Sequence, residues 1–249
     1  MFYYLSLLQN HLSELRLFEY ITVRTLAAAA TAFIISLLLA PWLIRKLRII
    51  NFGEQKEDER VAALDRSRKI GTPTMGGLLI ILAASGSALL WAIPTNIYIL
   101  ITLGTFILMG AIGFADDYFK IKRRNGLSVK AKFATQLLWT GIIFAVLWSM
   151  PETQQRVRDL MVPFVKYPIL DMGLIGSFMF MVLVLVGASN AVNLTDGLDG
   201  LAIGCTNSVA TAYLVLTYVA GNAIFSDYLQ VPSVQGSGEL TVFSGALLG

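Results

Sequence analysis

The sequence predicts an all-α fold, a polytopic membrane helix bundle, and three observations lead there. Of the 249 residues, 56% are hydrophobic and 14% charged, with a mean hydropathy of +0.68; a soluble domain carries about a quarter charged residues. Six apolar runs reach the roughly 17 to 25 residues that a spanning helix needs. Between them the basic residues fall into blocks, as they do in the loops of membrane proteins. Composition also excludes a disordered chain. A net charge of +3 and a pI of about 9.0 suggest nucleic acid in a soluble protein, but blocks set between apolar runs fit a membrane surface, and no nucleic-acid partner is expected. The single cysteine, Cys205, cannot close an internal disulfide.

Residues 1–20 have no basic start and mix aromatic with polar side chains, so they read as an interfacial lead-in rather than a cleavable signal. The expected spans are 21–44, 76–93, 97–114, 133–150, 172–189 and 201–220, six complete helices in one integral membrane domain covering 1–249. A seventh, 240–249, has only ten residues by Gly249, so the chain is expected to be a piece of a longer protein. Arg24, one turn inside the first span, is expected to carry its charge back to the interface along its stem. His11, the only histidine, reads as an interfacial residue.

Lys and Arg set the orientation. Arg45 to Lys69 holds eight of them and Lys120 to Lys132 holds six, fourteen of the nineteen in the chain. Those two loops are therefore expected in the cytoplasm, with the N-terminus outside, and helix parity sends the loop 190–200 to the cytoplasm as well.

The three inward segments carry the unusual polar chemistry. Arg68-Lys69-Ile70-Gly71-Thr72-Pro73-Thr74-Met75-Gly76-Gly77 places glycines, a hydroxyl cap and a lysine at a helix mouth, which suits an anion. The same residues also make an ordinary proline turn with positive-inside charge. Gly113-Phe114-Ala115-Asp116-Asp117-Tyr118-Phe119-Lys120 sets two carboxylates at the expected C-terminal end of the third span, where the helix dipole disfavours them. Either an exposed Asp116–Lys120 pair four residues apart compensates, or a divalent cation with a phosphate substrate does. In Asn190-Ala191-Val192-Asn193-Leu194-Thr195-Asp196-Gly197-Leu198-Asp199-Gly200, Asn190, Asn193, Asp196 and Asp199 recur every third residue, so amides and carboxylates converge on one side. An Asn/Asp/Gly turn between helices is the plainer account. Lys120, Lys122, Arg123, Arg124, Lys130 and Lys132 form a cationic apron that also attracts anionic membrane lipid. Acids for a cation, lysines for phosphates and a polar loop at one face of an apolar protein suit phosphoryl transfer between a soluble anion and a lipid.

The Gly71-Thr72-Pro73-Thr74-Met75-Gly76-Gly77 run, the pair Asp116-Asp117 and the segment Asn190 to Gly200, in this order, closely resemble the phospho-N-acetylmuramoyl-pentapeptide-transferase family. The resemblance implies a ten-helix bacterial inner-membrane protein, a homodimer, that moves phospho-MurNAc-pentapeptide from UDP-MurNAc-pentapeptide to undecaprenyl phosphate. Lipid I and UMP are the products and Mg2+ the cofactor. By position it implies Asp116 and Asp117 as the catalytic pair. Lys69, Thr72, Lys130, Lys132, Asn190, Asn193, Asp196 and Asp199 become substrate-binding residues, and Asp117 and Asp196 metal ligands. Arg66 stands where the family usually has histidine. The family's principal magnesium ligand and a histidine-rich inner loop lie past Gly249, so the 249 residues alone are expected to be inactive. A polyprenyl-phosphate GlcNAc-1-phosphate transferase shares the acid pair and the Asp-rich loop. A cation-coupled transporter is the rival of another class; it would place polar residues near span midpoints. Gln136 and Asn207 are modest examples, whereas the acids lie at inner ends.

Overall fold

A computed structural model of the chain describes residues 1–9, 12–51, 75–123, 126–162, 165, 167–195 and 200–249. After two short 3₁₀ helices, Phe2–Leu8 and Ser13–Glu19, come α1 (Ile21–Asn51), α2 (Gly77–Trp91), α3 (Ile97–Arg123), α4 (Val129–Ser149) and α5 (Pro151–Arg158). A two-residue hairpin, β1 (Asp159–Leu160) with β2 (Leu170–Asp171), precedes α6 (Gly173–Thr195), α7 (Leu201–Gly221), α8 (Ala223–Tyr228) and α9 (Glu239–Leu248). The strands pair antiparallel, Asp159 opposite Asp171 and Leu160 opposite Leu170. The architecture is all-α apart from that hairpin, which the sequence did not announce because two residues carry no readable alternation.

Among the described residues five helices are long and apolar enough to cross a membrane: Ile21–Leu47, Ile97–Lys122, Val129–Ser149, Gly173–Thr195 and Leu201–Gly221. Their outward faces carry large apolar side chains such as Leu26, Leu38, Leu138, Ile175 and Leu183, all exposed, as a lipid-facing surface requires. The expected span at 76–93 is the 15-residue α2, a rise of about 22 Å against a hydrocarbon core of about 30 Å. Met75 stands before it in the left-handed region at φ 73°, a conformation outside the right-handed helix. At its other end Ala92 is extended at φ −77°, ψ 165°, two residues before Pro94.

The chain packs as two compact units, residues 1–127 with 239–249, and residues 128–238. In the first, Ala28, Ala88, Ala92, Ile99, Leu103, Val242, Phe243 and Ala246 form the core. Small residues let α9 lie close on α1: a Cβ on Gly245 would stand 2.8 Å from the Thr25 carbonyl oxygen. Ser87 Oγ donates to the Ala28 carbonyl at 2.6 Å, and Trp91 Nε1 donates to Thr31 Oγ1 at 2.9 Å. The rings of Phe2 and Phe18 lie 4.7 and 5.9 Å from Trp91, so the lead-in is anchored by aromatic contacts. His11 lies outside the described residues.

Arg24 does not reach out to an interface. It is 1% exposed and gives Nη1 and Nη2 to the two carboxylate oxygens of Glu239 at 2.7 Å each. Nη1 also donates to the Trp91 carbonyl at 3.2 Å. A bidentate carboxylate pairs the charge inside the protein, which removes the reason to snorkel, although the buried Nε has no hydrogen-bond partner among the described residues.

In the second unit Ser128 caps α4 by accepting from the Ala131 amide at 3.2 Å, and Asn222 Oδ1 caps α8 by accepting from Ile224 and Phe225 at 3.0 and 3.2 Å. α4 packs on α6, with Phe144 edge-on to Phe178 at 5.3 Å.

Candidate active site

The apolar run that defines the third span stops at Phe114, but the helix does not. α3 continues to Arg123, so Asp116 and Asp117 lie about two turns inside it rather than at its carbonyl end. The dipole penalty fades beyond the last turn, and the residues in that turn include Lys120, Lys122 and Arg123, the sign a helix C-terminus favours.

The two acids have different surroundings. The Asp116 side chain is 12% exposed and the Asp117 side chain 44%. Asp116 Oδ1 accepts the Leu127 backbone amide at 2.8 Å, and Oδ2 pairs with Lys120 Nζ at 2.7 Å. Gly126 leaves room for this: a Cβ there would fall 2.4 Å from Asp116 Oδ1. Asp116 is therefore an anchor, tying the segment after α3 back onto the helix. Asp117 Oδ1 meets Lys120 Nζ at 3.2 Å, and Oδ2 has no hydrogen bond among the described residues. The separation follows from helix geometry, since neighbours diverge by about 100°. Lys120 serves both acids, three and four residues on, as a long cation on that face can. The Asp116–Lys120 pair offered as the plain account of this motif is present, though with Asp116 largely buried, and it leaves Asp117 Oδ2 without a hydrogen bond among the described residues.

In the other unit Lys130, exposed, and Lys132, half-buried, occupy the first turn of α4, whereas Asn190 and Asn193 belong to α6. The loop 190–200 is helical in its first half, because α6 runs through Thr195. Asn190 and Asn193 thus stand one turn apart on the last turns of α6, Asn193 exposed and Asn190 half-buried. Gly200, at φ 84°, opens α7, a left-handed position that favours glycine. Asn190 Nδ2 donates to the Val186 carbonyl at 2.8 Å and to Gln136 Oε1 at 3.1 Å, while Gln136 Nε2 donates to Ser189 Oγ at 2.9 Å. Gln136, 1% exposed, is the residue of this network to which sequence reasoning gave no part in the site. Its signal was a lone amide two turns inside an apolar span.

Lys69, Thr72, Asp196 and Asp199 lie outside the described residues, as do Arg66 and the first motif up to Thr74. Of that motif Met75, Gly76 and Gly77 are described, Met75 buried against Leu43 and Leu47. No group of three or more His, Cys, Asp or Glu side chains converges among the described residues. Magnesium does not require one, since it is bound by one or two carboxylates together with substrate phosphates and water. The accessible, half-committed Asp117 fits that donor set.

Residues 99–243 match the model of glycosyl transferase family 4, and residues 69–81 match phospho-N-acetylmuramoyl-pentapeptide-transferase signature 1. Among curated proteins, a phospho-N-acetylmuramoyl-pentapeptide-transferase of Opitutus terrae is 45% identical over 251 residues, covering 99% of this chain and 67% of the relative. That of Methylacidiphilum infernorum is 44% identical over 256 residues, 100% of this chain and 69% of its own. That of Desulfosudis oleivorans is 46% identical over 244 residues, 97% and 66%. The chain spans about two thirds of the length of these relatives.

Proposed function

The chain belongs to the phospho-N-acetylmuramoyl-pentapeptide-transferases of glycosyl transferase family 4, and from that premise we propose that Asp117 is its catalytic base and Asp116 the residue that positions it. The reaction moves phospho-MurNAc-pentapeptide from UDP-MurNAc-pentapeptide to undecaprenyl phosphate, making lipid I and UMP for peptidoglycan. Its two substrates come from different phases, a nucleotide sugar from water and a polyprenyl phosphate from the bilayer, and a multi-pass membrane protein is where they can meet.

In the proposed step the undecaprenyl phosphate gives its proton to an Asp117 carboxylate oxygen. The freed phosphate oxygen forms a bond to the β-phosphorus of the nucleotide sugar. The bond from that phosphorus to the oxygen bridging to the α-phosphorus breaks, and UMP leaves with the electron pair. Phosphoryl transfer asks chiefly for alignment and charge neutralisation. Lys120, tethered between the two acids, supplies positive charge beside the reacting phosphates. Lys69, Lys130, Lys132 and Thr72 are assigned to the nucleotide and its phosphates, and Asn190, Asn193, Asp196 and Asp199 to the polar head of the substrate. Asp117, with Asp196, would hold a magnesium ion, which when bound neutralises charge on the pyrophosphate. The basic blocks support a cytoplasmic active site in the bacterial inner membrane with the N-terminus outside, and the family resemblance supports a homodimer.

The observation that carries this reading is the contrast between an anchored Asp116 and an accessible Asp117 on one helix. In the full-length protein Asp117→Asn is expected to lower kcat at least about a hundredfold, the range for losing a general base, with expression and melting temperature unchanged. Asp116→Asn should show a lower melting temperature as well. Stripping divalent ions with EDTA should abolish transfer and Mg2+ restore it. An Asp117→Asn enzyme within a few-fold of wild type would refute the assignment.

A further inference from the structure

A primary amide buried two turns inside an apolar helix is costly unless its bonds are made, and an apolar residue of equal size would fill the same space. Gln136 makes its bonds to Ser189 and Asn190, both on the last turns of α6. We propose that Gln136 is a positioning residue that fixes the Asn190 amide as an acceptor only, keeping its Oδ1 for an N–H or O–H donor on the nucleoside part of the substrate. This rests on the reading of Asn190 as a substrate-binding residue.

The direction of the network follows from its ends. The Val186 carbonyl oxygen can only accept, so the atom facing it at 2.8 Å must be the Asn190 nitrogen. The other N–H of that nitrogen goes to Gln136 at 3.1 Å, so Gln136 must present its oxygen there. Its own nitrogen is then turned to Ser189 Oγ at 2.9 Å. Flipping Asn190 would set its oxygen against two acceptor oxygens, so the amide is held from both sides. Asparagine ordinarily offers two donors and an acceptor. Here both donors are committed and Oδ1 has no hydrogen bond among the described residues. Such a group selects for donors. A uracil imide N–H and ribose hydroxyls qualify, whereas ionised phosphate oxygens and the uracil carbonyls do not, so Asn190 is assigned to the nucleoside and not to the pyrophosphate.

The test compares the steady-state kinetics of the purified full-length wild-type transferase, Gln136→Met, Gln136→Leu, Gln136→Glu and Asn190→Ala at fixed undecaprenyl phosphate. Gln136→Met, which keeps the shape and loses the acceptor, is expected to raise KM for UDP-MurNAc-pentapeptide about tenfold, or about 1.4 kcal/mol, with kcat and the melting temperature little changed. Gln136→Leu serves the same comparison should methionine fail to fold. Gln136→Glu keeps an acceptor for the Asn190 nitrogen in either protonation state, so it should restore KM to near wild type even though a buried acid lowers the melting temperature. A role confined to packing gives the opposite order, with Glu worse than Met. If Asn190→Ala raises KM while both apolar Gln136 variants leave it unchanged, the inference fails and the reading of Asn190 stands. If Asn190→Ala leaves KM unchanged, that reading fails and the inference with it. Recovery of the Gln136→Met defect by excess Mg2+ would mean that Asn190 faces the cation, which also overturns the nucleoside assignment.

Discussion

Replacing Arg24 with methionine leaves the Glu239 carboxylate buried without the partner that makes its burial tolerable. The two side chains are 2% and 7% exposed. Glu239 accepts Arg24 through both oxygens at 2.7 Å and also takes the Ile93 amide at 2.9 Å. One ion pair thus joins α1, the turn between α2 and α3, and the first turn of α9. Removing one member of a buried pair costs about 3 to 5 kcal/mol, because the other charge stays buried. Each kcal/mol is worth about 2 to 4 °C in a chain of this size. Arg24→Met and Glu239→Gln are each expected to lower the thermal midpoint in detergent by about 6 to 20 °C. The double variant should melt above either single one, since the introduced side-chain amide can still accept the Ile93 N–H through its oxygen and no charge would remain. Asp116 stands 17 residues beyond Ile99, about 25 Å along α3 at 1.5 Å per residue, so kcat measured well below the midpoint should not change. Calorimetry of the four proteins closes the cycle, and because the double variant loses less than either single one, a coupling above about 3 kcal/mol is expected. Losses that add to within about 0.5 kcal/mol would mean that the two charges are solvated separately and that the latch does not exist.

Gly126→Ala drives a Cβ to 2.4 Å from an Asp116 oxygen that the Leu127 amide and Lys120 hold in place. It should lower transferase activity about tenfold through misplaced acids while costing about 1 kcal/mol of stability, read by kcat and melting temperature. Gly245→Ala meets the Thr25 carbonyl, a backbone atom that cannot turn aside, and should destabilise by about 1 to 3 kcal/mol in the same melting assay. At the hairpin, the Arg158 guanidinium, with help from the Gly173 amide, holds the Asp171 carboxyl below the usual carboxylate range. Its contribution is present above the unfolded value of about 3.9 and is lost as pH falls through the lower folded value. Asp171→Asn should therefore speed exchange of the Ile169 and Met172 amides, which bond to Leu160 and Arg158, at pH 7. The difference from wild type should vanish once the pH has fallen below that lowered folded value.

Hydropathy reads where lipid ends, which is not always where a helix ends. The apolar run of α3 stops at Phe114, yet nothing between Asp116 and Arg123 breaks a helix, and α3 runs on to Arg123. The positions of the acids were legible, and their place inside the helix was not. Likewise Arg24 was visible as a charge in a span, but its partner Glu239 lies 215 positions away, and no local pattern joins them. Gln136 and Asn190 are 54 apart, neither pointing to the other along the chain, and only the packing of α4 on α6 makes them one network. What a single sequence carries well is periodicity, charge placement and short motifs. Pairings between distant helices are written in three dimensions.

The difference between Asp116 and Asp117 also limits what a catalytic pair can mean here. An acid that anchors backbone must stay where it is through the reaction, and Asp116 holds the Leu127 amide at 2.8 Å. Protonating it would weaken the hold on the residues after α3 at the moment they are needed. A base must instead gain and lose a proton without moving its neighbours. Asp117 can do so, because its described bond is to Lys120, and Lys120 has a shorter bond to Asp116 to fall back on. If Asp117 is the base, as proposed, the lysine would keep its place when Asp117 takes the proton, and its charge, now less shared, would lie beside the newly formed phosphate anion. In the proposed reaction one acid would hold the geometry constant so that the other could change its charge.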